Sequence, residues 1–355
     1  MTTPSTPATT RAGAACAILA AALLASASPA SAELKVTVTI KPVHALVAQV
    51  MEGVGTPSLL VQGAASPHTY ALKPSDARAL NHADVFFRVS ETVEPFTRKI
   101  VSALPKSVRT VTLAESPGIT LLSVRTGETF EAHNHGHEAG HAHDHDHDHD
   151  KEHKHGHHDH GHDDHDHHAE VGGDAHDGHE SETRDGHVWL DPENARKMIS
   201  EIARVLAEAS PAHAETFKAN AARADAALVA LEADIARELA PVKDKPFVVF
   251  HDAFQYFEHR FGLAAVGSIT VSPEAQPSAK RLTEIRRKLA ALQAACVFSE
   301  PQFQAKLVNA VIEGTSARSG TLDPEGALID PGPTAYDALL RNLASGLKSC
   351  LAQGS

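Results

Sequence analysis

Apolar and polar residues alternate along residues 34–40 (LKVTVTI), and the spacing turns helical from Pro42 to about residue 51, where a proline suits the first helical turn. The same change recurs. Residues 57–61 read as a strand, 74–81 as a helix, 83–89 (ADVFFRV) as a strand, 94–103 as a helix and 107–113 as a strand. This alternation predicts a parallel sheet covered by helices.

The periodicity dissolves between His133 and His179, where nineteen histidines stand among Asp, Gly and Glu, including the run HDHDHDHD at 143–150. No core can form from such residues, so a disordered insert is expected. Order is expected to return at His187 with HVWLDPE, where Asp191 can cap a helix that carries Pro192 in its first turn and runs to about residue 208. A further periodic stretch runs from Pro211 to about residue 238, rich in alanine and without an internal glycine or proline. Its length suits a stiff connector between two lobes, an ordinary packing helix being the alternative. Thereafter strands are expected at 246–250, 264–269, 296–299 and 320–322, with helices at 253–260, 277–294, 304–313 and 334–350.

The expectation is therefore an α/β protein of two similar lobes, each a mostly parallel sheet covered by helices, joined by a long rigid helix and interrupted by a disordered His-rich insert. In numbers, this gives a signal peptide at 1–32, an N-terminal lobe at 33–209 with the His-rich loop at about 126–186, a linker helix at 210–241 and a C-terminal lobe at 242–355. Ligands of such folds bind near the carboxyl ends of the strands, which puts the candidate cleft between the lobes.

Residues 1–32 follow another pattern. A single early cation, Arg11, precedes an apolar run from Ala14 to Ala25, and Ala30-Ser31-Ala32 supplies small residues at the spacing signal peptidase needs. The run is shorter than the roughly 20 apolar residues that span a bilayer. Cys16 lies at the start of the run, whereas a lipid-modified cysteine would follow it, so a soluble mature chain in the periplasm is expected. Removal of Cys16 leaves Cys296 and Cys350, which an oxidising compartment is expected to join. Such a bridge is worth about 4 kcal/mol in the chain-entropy model. Two reduced buried thiols are the alternative.

The formal charge of −13 belongs to one segment, since residues 131–185 hold seventeen acids against Lys151, Lys154 and Arg184. The remainder is close to neutral and offers no basic face for nucleic acid. A monomer is expected.

Seven histidines lie outside the insert: His44, His68, His82, His187, His213, His251 and His259. His68, His187 and His251 fall where a strand has ended or a loop turns, so each would project toward one edge of its lobe, and neutral imidazole is the commonest zinc ligand. The other four fall in helical stretches or their flanks and are read as packed or solvated.

Four motifs, GAASPHTYALKPSD, HVWLDP, FHDAFQYFE and GTLDPEG, together resemble the cluster A-I family of ABC-transporter solute-binding proteins and, within it, the zinc-binding ZnuA type. The resemblance covers nearly all of the chain after residue 32 except the insert, and the motifs stand in the family's order. It implies metal ligands at His68, His187 and His251. Manganese-binding relatives carry a glutamate at the third place, filled here by His251, and three imidazole nitrogens suit Zn²⁺ better than Mn²⁺. Some zinc members have a glutamate just before the first histidine, a place held here by Pro67. Members with an aspartate ligand have it in the loop matching GTLDP, which makes Asp323 the candidate fourth ligand, a cap on its own loop or a water being the alternatives. Asp252 and Glu258 are candidate acceptors for an imidazole N–H.

The resemblance also implies Zn²⁺ as a transported ligand and an ABC transporter membrane permease as partner. The insert is expected to bind zinc weakly at sites such as His143, His145, His147 and His149 and to raise its local concentration near the cleft. Because imidazole must be neutral to ligate, insert and cleft should both lose zinc as pH falls below roughly 6, the insert first. A manganese or nickel carrier, or a zinc buffer or adhesin without a transporter, are the neighbouring readings. A zinc hydrolase is a distant one, for none of the expected helices carries HExxH and the motifs supply no clear general base.

Overall fold

The computed structural model describes Thr2 and residues 33–125, 184–263, 265–270, 277–291, 294–303 and 306–354. The expected signal peptide apart from Thr2, residues 126–183 of the expected insert and the insert histidines His143, His145, His147 and His149 lie outside the described residues. Among the described residues, no helix is long and apolar enough to cross a membrane.

The first lobe is built from β1 (Val36–Val38), α1 (Lys41–Val50), β2 (Ser58–Leu59), α2 (Pro74–Asn81), β3 (Val85–Arg88), α3 (Thr97–Ala103) and β4 (Arg109–Thr112). Its strands pair in the order β2-β1-β3-β4, all parallel. A 3-10 turn at Val188–Leu190 leads into α4 (Pro192–Ala209), and a second at Pro211–His213 leads into α5 (Ala214–Leu239). The second lobe follows with β5 (Phe247–His251), α6 (Gln255–Phe261), β6 (Ala265–Thr270), α7 (Ala279–Ala291), β7 (Cys296–Ser299), α8 (Lys306–Ile312), β8 (Arg318–Thr321) and α9 (Ala335–Leu351). Its sheet has the order β6-β5-β7-β8, again parallel, so the two lobes repeat one topology.

Strand alternation sorts the core. In β3, Val85 and Phe87 enter a large central cluster while Phe86 joins a smaller outer one, and in β5, Phe247 and Val249 enter the central cluster while Val248 and Phe250 face away. The inner faces of both sheets thus share one continuous apolar core, as the period-two geometry of strands requires when each sheet has helices on both sides.

Helix α5 closes this core. Its buried residues Phe217, Asn220, Ala224, Leu228, Leu231, Ile235 and Leu239 recur at three- and four-residue intervals along one stripe. That stripe packs on α4 and α1 and on α9 of the second lobe, so the helix both connects and packs. Helix α4 begins as its sequence suggested, with Pro192 in the first turn and the Asp191 carboxylate accepting from Glu193 N at 2.8 Å. Asp191 also accepts two bonds from Arg260 of α6, at 2.7 and 2.8 Å.

Other ties cross between the lobes. Lys41 Nζ donates to the carbonyls of Gly326 and, at 3.1 Å, Ala327, and Gln49 Nε2 donates to Pro333 O at 2.6 Å. Trp189 Nε1 donates to Pro324 O at 2.9 Å, while Tyr336 Oη donates to Trp189 O at 2.6 Å. Cys296 and Cys350 are joined, linking β7 to α9.

Candidate metal centre

Two turns and a strand end deliver three imidazoles to one point. His68 sits in the turn after β2, closed by Thr69 N donating to Ser66 O at 3.3 Å. Tyr70 anchors that turn, its hydroxyl donating to Leu60 O at 3.2 Å and to Asp76 Oδ2 at 2.8 Å on the first turn of α2. His187 stands at the head of the 3-10 turn, and the chain reaches it through Gly186, where a Cβ would come within 2.6 Å of Val93 Cγ2 and 2.8 Å of Ser90 Oγ. Only glycine lets the backbone pass that close. His251 ends β5, on the side taken by Phe247 and Val249, which directs it toward the other lobe.

His187 Nε2 lies 3.3 Å from His68 Nε2 and 3.4 Å from His251 Nε2. One nitrogen from each of the three rings lies within 4.8 Å of the others, in the one such group of potential metal ligands found among the described residues. His187 and His251 are 7% and 4% exposed, and His68 is half-buried.

Each buried ring is oriented from behind. His187 Nδ1 lies 2.7 Å from Asp185 Oδ1, which also accepts from the His187 backbone N–H at 3.0 Å. His251 Nδ1 lies 2.6 Å from Glu300 Oε1, which likewise accepts from the His251 backbone N–H at 3.2 Å. A carboxylate can only accept at this position, so Nδ1 carries the proton in both rings and the Nε2 lone pairs face one another. Lone pairs 3.4 Å apart repel unless a cation lies between them. These two separations match those between ligand nitrogens in a zinc tetrahedron, which stand about 3.3 to 3.4 Å apart with Zn–N bonds of about 2.05 Å.

The protonation tendencies of His68 and His251 run in opposite directions. Burial, then the neighbouring His187 and His251, lowers the pKa of His68 to about 2. Burial also lowers His251, but the charge and hydrogen bond of Glu300, with Asp252 and Asp185 behind, outweigh it and leave that pKa above its ordinary value.

Asp323 is not brought into this group. Its Oδ1 accepts from Gln302 Nε2 at 2.9 Å and Glu325 N at 3.2 Å, and its Oδ2 accepts from Ala327 N at 2.6 Å, so it staples its own loop. Asp252 and Glu258, read as acceptors for an imidazole, pair instead with Arg125. The physical reason for Asp252 is strand geometry, since a residue adjacent to His251 turns to the opposite side. The acceptors that do meet the rings, Asp185 and Glu300, were not singled out in the sequence. Asp185 carries a local signal two residues before His187. Glu300 is signalled only by its place just beyond β7, which becomes informative once β7 is known to lie beside β5.

The remaining histidines among the described residues stand apart. His44 is buried in α1 with Nε2 3.0 Å from Pro57 O, His213 Nδ1 lies 2.9 Å from Ser210 Oγ, and His82 and His259 are exposed.

The family described as "ZnuA: Zinc-uptake complex component A periplasmic" matches residues 36–350. A high-affinity zinc uptake system protein ZnuA of Brucella suis biovar 1 (strain 1330) is 50% identical over 318 residues, covering 90% of this chain and 92% of that protein. The protein of the same name from Yersinia pestis is 36% identical over 337 residues, covering 94% and 96%. Among solved structures, the laminin-binding protein of Streptococcus agalactiae, described as having adhesin and metal-transporting activity, superposes with a TM-score of 0.65 at 22% identity, covering 88% of this chain and 99% of that one. With the match running through both lobes and through all four motifs, the chain belongs to the ZnuA family of periplasmic zinc-uptake components.

Proposed function

We propose that this protein is the zinc-capturing component of an ABC importer: it binds one Zn²⁺ in the periplasm, between its lobes, and delivers it to a membrane permease. The observation that carries the reading is the pair of Nε2···Nε2 separations, 3.3 and 3.4 Å, from His187 to His68 and His251, with the other nitrogens of His187 and His251 engaged by carboxylates. His68, His187 and His251 are the proposed ligands, with water at the fourth position in place of Asp323, whose oxygens are already occupied. A nitrogen-only protein donor set favours Zn²⁺ over Mn²⁺. The family description and the names of the relatives point to the same cargo.

Capture in this reading needs little movement. The lobes share one apolar core and several hydrogen bonds, so the ions are exchanged by local rearrangement around His68, the least buried of the three rings. The segment 126–183 leaves and returns beside the centre, since Asp185 N donates to Leu122 O at 2.9 Å and Ser123 pairs with Arg184. Zinc gathered by its histidines would therefore be released within reach of the cleft.

Equilibrium competition against a zinc chelator tests the reading. His68→Ala, His187→Ala and His251→Ala should each weaken the tightest site by at least about a hundredfold, as expected when one of three protein ligands is lost. A variant that retained wild-type affinity at that site would remove its histidine from the ligand set. Binding rather than turnover is proposed, so ester and peptide panels should give no hydrolysis by the zinc-loaded protein.

A further inference from the structure

Arg125 of the first lobe reaches across to the second. Its Nε donates to Asp252 Oδ1 and Oδ2 at 3.0 and 2.9 Å, its Nη1 to Glu258 Oε2 at 2.8 Å, and its Nη2 to Glu258 Oε1 at 3.0 Å and also to Asp252 Oδ1. The arginine side chain is 19% exposed and the two carboxylates 12% and 7%, so this is an enclosed cluster, screened far less than a surface pair. Only a guanidinium fork can hold two carboxylates in this way.

Both partners belong to the segment that carries the third imidazole. Asp252 directly follows His251, and Glu258 lies on α6. From the same helix, Tyr256 Oη donates to Asp185 O at 2.7 Å and accepts from Leu122 N at 3.0 Å. Asp185 is the residue that orients His187. The flanks of segment 126–183 are therefore fastened to one another and, through Arg125 and Tyr256, to the His251 side of the cleft.

We propose that Arg125 is a positioning residue for zinc retention: by tying the Asp252–Glu258 segment to the Leu122–Asp185 pairing, it holds His251 in register with His187 and slows release of the ion. This rests on the reading of the three imidazoles as zinc ligands. Deleting the charge of Arg125 would confuse the matter, because two freed carboxylates would themselves attract Zn²⁺. The informative change keeps the cation and removes the fork.

The test uses the full chain loaded with zinc and mixed with excess chelating dye. The slow phase of zinc loss belongs to the centre if His187→Ala abolishes it, and a wild-type protein with no such phase would sink the zinc-site reading itself. Arg125→Lys should accelerate the slow phase about tenfold while leaving the association rate within about twofold, in the range known for residues behind metal ligands. Glu258→Gln, which leaves Asp252 paired, should give a smaller acceleration, and Arg125→Lys combined with Glu258→Gln should release no faster than Arg125→Lys alone, because both break one tie. Arg109→Lys, in the exposed pair with Glu208, should change nothing. A wild-type release rate in Arg125→Lys would overturn the proposal, with or without a lowered melting temperature of the zinc-free protein, and so would independent, multiplying effects of the two substitutions.

Discussion

At the scale of single residues, the proposed centre depends on carboxylates that hold two of its rings from behind, at Nδ1. Glu300 and Asp185 fix the tautomer of two rings, so Glu300→Gln and Asp185→Asn should each weaken zinc binding by about 10- to 100-fold with the fold retained, measured by chelator competition and circular dichroism. An amide in either place can turn its NH₂ toward Nδ1 and stabilise the wrong tautomer. The pH dependence follows from the same contacts. His251 has its pKa raised, by Glu300 against the effect of burial, while His68 is held far below its ordinary value, first by burial. Zinc requires the neutral ring, so affinity is full above the raised pKa of His251 and falls as pH drops through it. With one proton competing, the loss should be about tenfold per pH unit, starting above the ordinary histidine value of about 6.5. A slope near three would mean that all three rings take up protons. In the zinc-free protein the His251 shift has the opposite consequence, for a raised pKa contributes stability below about pH 6.5 that is lost as pH rises through the folded value.

At the scale of elements, two features carry stability without touching the ion. The Cys296–Cys350 bond, across a sequence separation of 54, ties β7 to the last helix. Its loss in Cys296→Ser with Cys350→Ser should remove up to about 4 kcal/mol in the chain-entropy model and lower the melting temperature, while zinc affinity stays unchanged because β7 remains paired on both sides. Helix α5 is the second feature. Leu231, 1% exposed on its buried stripe, should cost about 2 to 5 kcal/mol when changed to alanine, read by denaturant unfolding. Because the stripe meets elements of both lobes, one cooperative transition is expected, and separate transitions for the two lobes would show that α5 does not unite them.

At the scale of the whole molecule, the shared core limits the motion available on binding. A hinge that opened the lobes widely would expose residues such as Trp189, Tyr336 and Leu343, all of which belong to the central cluster and are buried. Each fully exposed side chain of that size would cost roughly 1.5 to 3 kcal/mol, which a single ion would have to offset in every cycle. Solution scattering should accordingly find nearly the same radius of gyration with and without zinc. A compaction of several ångströms would contradict a common rigid core.

The sequence by itself determined what depends on neighbours along the chain. Periodicity located the strands and helices, including the residue-for-residue start of α2 at Pro74 and of β7 at Cys296, because local burial patterns and proline positions are properties of short segments. It also marked His68, His187 and His251, since each stands where a strand ends or a loop turns, in a recognisable motif. The tertiary structure decided what depends on which ends meet. Strand order set β7 beside β5 and so Glu300 behind His251. Chain crossing set Arg125 on Asp252, 127 residues away. Folding of its own loop engaged Asp323 with Gln302, Glu325 and Ala327 and left it outside the group of three imidazoles. Such pairings leave no trace in spacing, because a carboxylate has the same composition and the same local pattern whether it faces an imidazole, a guanidinium or its own backbone.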